Sequence, residues 1–95
     1  MKNLKSWDIV QVDSKCIKLF EERWERLNDY QKYVLLKFFR QMKESGVDYK
    51  VECWENSEAM FVVVKGDEYD AHYWNMILRR LDEERQLWWV GVIWE

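Results

Sequence analysis

At Ser45-Gly46 the hydrophobic period of this chain changes, and that change constrains its fold more than any other feature. Upstream, apolar residues return every three or four positions, which is one face of a helix. Downstream, from Val47, they return every second position, which is one face of a strand. A helical first part followed by alternating segments predicts an α+β architecture.

The upstream half divides in two. Asp13 and Ser14 offer side-chain oxygens to the free N–H groups of a helix start. Ile17, Phe20, Trp24 and Leu27 then share one face, and Glu21, Glu22, Arg23, Glu25 and Arg26 take the other. A helix unbroken from 14 to 45 would be about 48 Å long, more than a domain of this size can hold. The break falls at Asn28-Asp29, where Gln31 follows Asn28 by three residues as in a capping box. A second helix over 29–44 carries Leu35, Phe38, Phe39 and Met42, widened by Tyr33, Val34 and Leu36. Gly46 is a natural end for it, because glycine tolerates the left-handed conformation found there.

Val47 to Trp54 and Ala59 to Lys65 read as a hairpin around the polar turn Glu55-Asn56-Ser57-Glu58. A helix is expected from about Asp70 to Arg85, with Trp74, Ile77, Leu78 and Leu81 inward. Leu87 to Trp94 reads as a last strand, apolar on both faces. Trp7 to Val12, rich in β-branched residues, reads as a first strand. The resulting order is β-α-α-β-β-α-β. With the two early helices counted as one kinked element, this is the ferredoxin-like split βαβ pattern. It predicts an antiparallel sheet in order 4-1-3-2 with the helices packed on one face, in a single domain spanning 1–95.

Composition removes whole classes of function. There is no proline, there are three glycines far apart, and 35% of residues are charged. Disordered linkers and glycine-rich phosphate loops are thereby excluded. Cys16 and Cys53 are too few for a disulfide scaffold or a cysteine zinc site, and their apolar neighbours favour inert, reduced thiols. No apolar run approaches a membrane span or a secretory leader. The expected location is the cytoplasm, with no membrane contact. His72 is the only histidine, beside Asp67, Glu68 and Asp70, and an acidic helix start explains that grouping without catalysis. No cofactor, metal ligand set or catalytic residue is expected, and the chain is not read as an enzyme.

The chain has seven tryptophans, more than a core this small can hide. Trp54, Phe61, Trp88 and Trp94 are therefore expected to form an aromatic surface for a protein partner, since tryptophan anchors interfaces. Charge is also uneven. Residues 1–46 carry ten Lys/Arg against seven Asp/Glu, and residues 47–95 carry five against eleven. Glu52, Glu55, Glu58, Asp67 and Glu68 form the candidate acidic surface, suited to competing for a basic groove. The function these features point to is a small interaction or regulatory module, homodimeric, in the manner of a virus-encoded inhibitor of a host protein. The alternative is a nucleic-acid-binding module that uses the basic helix bearing Lys32, Lys37, Arg40 and Lys43 together with sheet aromatics.

Overall fold

The computed structural model describes residues 7–95. It is a small α+β fold with three helices and a three-stranded mixed sheet. A single 3-10 turn, Ser14–Cys16, leads into α1 (Ile17–Glu25), and α2 (Asp29–Glu44) follows. Then come β1 (Tyr49–Cys53), β2 (Met60–Val64), α3 (Glu68–Leu81) and β3 (Val90–Trp94). No helix among the described residues is long and apolar enough to cross a membrane.

Local chemistry sets most of these boundaries. Asn28 accepts a hydrogen bond from the Gln31 N–H, and the Gln31 side chain accepts one from the Asn28 N–H, so the break between α1 and α2 is a complete capping box. Gly46, at φ 72°, ends α2 in the left-handed region. A second capping box, between Asp67 and Asp70, starts α3 two residues earlier than its periodicity suggested. α3 ends at Leu81 rather than Arg85, because Asp82 turns inward and is buried.

The helices cover one face of the sheet. Tyr49, Val51, Cys53, Met60, Val62, Val64 and Val90 point into a continuous core with Phe20, Trp24, Leu35, Phe38, Phe39, Met42, Trp74 and Leu78. Phe39 stacks on Tyr49 with ring centroids 5.5 Å apart. Tyr33 does not widen the buried stripe of α2: it is exposed, as is Ile17 of α1. By alternation the other sheet face carries Lys50, Glu52, Phe61, Val63, Gly91 and Ile93. Lys50 reaches Glu95 at 3.5 Å, an ion pair that crosses β2 on the face bearing Val63, and Val63 is only 4% exposed.

The strand order differs from the expected one. β1 pairs antiparallel with β2, but β2 pairs parallel with β3, giving the order β1-β2-β3. The expected antiparallel 4-1-3-2 sheet is not what forms. Met60–Val64 is the most buried strand and takes the central position. Trp7–Val12 is not a strand. Residues 7–9 form a turn with Trp7 edge-on to Phe20, Val10 is buried, and only Val12 makes one bridge, parallel, with Val51. The Asp13 cap takes the chain into helix one residue later, so no ladder can extend. Residues 11–13 still sheathe the outer edge of β1: the Val51 N–H donates to Gln11 O at 2.8 Å and the Asp13 N–H to Val51 O at 3.0 Å. The last strand is also shorter than expected, because Trp88 and Trp89 lie in a turn before Val90.

Candidate functional site

The four candidate aromatics do not form one surface. Trp54, just after β1, packs on Phe61 with ring centroids 4.8 Å apart and remains 47% exposed. Trp88 is 77% exposed, the highest value for a large hydrophobic among the described residues. Phe61 and Trp88 both line an open cleft of about 750 Å³ at the end of the sheet where the β1–β2 turn and the entry to β3 meet. Trp94 lies at the opposite end of β3, level with Val64, and is separate from this group.

The cleft is basic as well as aromatic. Its walls include Arg23 and Arg26 of the α1 end and Arg79 of α3; Trp89 joins Phe61 and Trp88; Glu58 is the acid at its rim. Two of the guanidinium groups hold the walls together. Arg23 donates to Ala59 O at 3.2 Å and to the carbonyls of Trp54 and Ser57, clamping the hairpin turn. Arg79 donates to Leu87 O at 2.9 Å and to the Val90 carbonyl, clamping the entry to β3. Such charge-assisted bonds are stronger than neutral ones. Arg26 is exposed and has no ion pair or side-chain hydrogen bond among the described residues.

The turn bearing Trp88 is held from below. The buried Asp82 carboxyl accepts from the Leu87 N–H at 2.8 Å, the Gln86 N–H at 3.0 Å and the Tyr30 hydroxyl at 3.2 Å. Tyr30 in turn accepts from the Glu84 N–H at 3.0 Å. Gln31 of α2 donates to Gln86 O at 3.0 Å, and Asn28 to the Gln86 side chain at 2.8 Å. Leu87 and Val90 on either side of the Trp88-Trp89 pair are fully buried. Trp88 is thus an exposed indole on a fixed turn.

The acidic candidates separate into two sets. Glu52, Glu55 and Glu58 belong to the hairpin, whereas Asp67 and Glu68 start α3 at the far end of β2. Glu52 pairs with Lys50 at 3.8 Å and accepts from the Trp54 indole N–H at 3.4 Å. Asp67 is committed to its helix cap. The basic candidates of α2 spread over roughly 140° of its circumference, with Asp29 and Glu44 among them. Lys37, Arg40 and Lys43 are exposed, Lys32 is half-buried, and Lys37 lies 5.8 Å from the Tyr33 ring. None of the four lines the cleft.

The remaining chemical groups are accounted for by packing. Burial pushes the Cys53 thiol up despite the nearby Arg23 guanidinium, and Cys16 donates its S–H to Cys53 O at 3.3 Å. Glu95, with smaller help from Glu52 and Asp13, raises the Lys50 ammonium. His72 is exposed on α3, and among the described residues no three His, Cys, Asp or Glu side chains come together to hold a metal ion.

Sequence reasoning missed the arginines. The periodicity of α1 puts Arg23 and Arg26 on the face opposite its apolar stripe, and nothing in the spacing of α3 singles out Arg79. The available signal was their spacing, since positions three apart share one side of a helix. Comparison with protein-family models, curated proteins and solved structures returns no match for this chain.

Proposed function

We propose that this protein is a small interaction module that binds a partner protein in the basic aromatic cleft and modulates that partner by occupying it. The observation that carries this reading is Trp88, 77% exposed on a turn whose backbone is fixed by Asp82, Arg79 and Gln31. A rigid aromatic anchor loses little entropy on binding, which is why such residues dominate interfaces. Arg26 supplies an uncommitted cation in the same cleft. The fitting partner segment is therefore acidic with an apolar side chain. This reverses the charge sense expected from the acidic hairpin, because the aromatics sit with arginines. Free thiols at Cys16 and Cys53 suit a reducing compartment, and we read the site of action as cytoplasmic.

The test is quantitative affinity capture with the tagged full chain after nuclease treatment, run beside Trp88→Ala and Tyr69→Ala. Tyr69 is 76% exposed at the start of α3, remote from the cleft. The expected result is a stoichiometric partner that falls at least tenfold with Trp88→Ala and is retained with Tyr69→Ala. Equal capture by both variants sinks the cleft reading. Nucleic acid captured without nuclease, lost steeply with salt and with Arg40→Glu, would replace it by the nucleic-acid reading.

A further inference from the structure

The two edges of the sheet are treated differently. The β1 edge is sheathed by residues 11–13, whose backbone takes up the outward N–H and C=O of Val51. The β3 edge has no such cover among the described residues.

The groups left free on β3 can be assigned from its ladder. The Met60 N–H donates to Trp89 O and the Glu95 N–H donates to Val64 O, so with the parallel register Met60↔Val90 the residues of β3 bonded to β2 are 89, 91, 93 and 95. Residues 90, 92 and 94 turn their backbone groups outward. Those of Val90 are already occupied: its N–H donates to Leu87 O at 3.1 Å, and its carbonyl accepts from Arg79. Val92 and Trp94 keep an N–H and a C=O each, with no partner among the described residues. The strand Val-Gly-Val-Ile-Trp carries neither the lysine nor the proline that usually guards an edge.

We infer that the β3 edge pairs antiparallel with the β3 edge of a second copy of this chain, about a two-fold axis at Ile93. This register uses every free group. Val92 of one copy lies opposite Trp94 of the other, both outward, so each pair exchanges two hydrogen bonds and the two pairs make four. A two-fold at Val92 would set Trp94 against the occupied Val90 and form half as many bonds. The same register suits the side chains. Ile93 meets Ile93 in the close, non-hydrogen-bonded position on the open face. Trp94, 48% exposed, gains Val92 of the second copy on the helix-covered face. Glu95 falls opposite Gly91, so no like charges meet, and its carboxylate already has Lys50. A second copy fits better than a foreign strand because the edge is complementary to itself, group for group. The result is one continuous six-stranded sheet; of the cleft lining only Gly91 enters the paired stretch, while Trp88 and the cleft arginines stay outside it. It stands or falls independently of what the cleft binds.

The test uses the full chain in sedimentation velocity over a wide concentration range, with amide exchange read at Val92 and Trp94. The expected species has twice the 11.9 kDa chain mass, and the Val92 and Trp94 amides become protected as it forms. Ile93→Lys sets two ammonium groups face to face and should weaken association at least tenfold while far-UV circular dichroism stays unchanged. Ile93→Cys should form an intermolecular disulfide on mild oxidation, because Cα atoms at such a pair lie about 4.5 Å apart, within disulfide range. Met76→Cys, exposed on α3, should not. A chain that stays monomeric at every concentration overturns the inference. So does a dimer in which Val92 and Trp94 remain in fast exchange, or one that Ile93→Cys fails to cross-link.

Discussion

Asp82 shows how much of the site depends on one side chain that touches no ligand. Its carboxyl oxygens take the Gln86 and Leu87 N–H groups and the Tyr30 hydroxyl, in a position 3% exposed. Asp82→Ala strips these donors of their acceptor where water cannot replace it. The expected loss is about 2–3 kcal/mol, read as an earlier urea midpoint at unchanged slope, with weaker partner binding because the Trp88 turn loosens. A second residue-scale effect is alkaline. Burial pushes Cys53 and Tyr49 up from their ordinary values of 9.0 and 10.0. Above pH 9 the unfolded chain releases these protons first, so the folded state holds more of them and stability falls as pH rises from about 9 through the folded values. Cys53→Ala should flatten the earlier part of that fall and leave the later, Tyr49 part in place, as read by thermal melts across the alkaline range. At this scale the sequence was partly legible. Seven tryptophans implied that some must show, and Trp54, Trp88 and Trp94 do. The clamps made by Arg23 and Arg79 were not legible, because an arginine that serves backbone carbonyls far along the chain looks the same in sequence as one on a solvated face.

Among elements, what was encoded locally could be read and what depended on distant pairing could not. The Asn28–Gln31 box, the 29–44 helix and the hairpin all follow from spacings of a few residues. The fate of Trp7–Val12 depended on competition between a strand ladder and the Asp13 helix cap, and the neighbour of β3 depended on which strand was buried deepest. Two substitutions separate local from global terms. Gly46→Ala meets open space, with nothing within 4 Å of the added carbon, so its cost is purely that of φ 72°. About 1–2 kcal/mol is expected, measured by denaturant unfolding. Asp67→Ala removes the α3 cap and should cost about 1 kcal/mol. It should leave partner capture unchanged, since Asp67 lies at the other end of β2 from the cleft. A loss of capture without a loss of stability would restore Asp67 as a binding residue.

At the scale of the molecule, one continuous core joins residues from Val10 to Val90, so unfolding should be a single transition for each copy. The β3 edge changes what that transition reports. If two copies share a sheet, only the folded chain can associate, and mass action stabilises it as concentration rises. The midpoint temperature of the full chain should therefore climb with protein concentration. For a chain of this length each kcal/mol of linkage is worth about 4–8 °C, so a hundredfold range of concentration above the dissociation constant gives a shift that calorimetry resolves. Ile93→Lys should begin to climb only at a concentration at least tenfold higher and stay below the full chain throughout the range, because the substitution sits at the symmetry axis and not in the core. Trp88→Ala should keep the full concentration dependence, since that indole lies in the cleft, away from the two-fold. The three melts together distinguish an edge interface from association through the aromatic cleft: if Trp88→Ala flattens the dependence and Ile93→Lys preserves it, the copies meet at the cleft and β3 is an ordinary free edge.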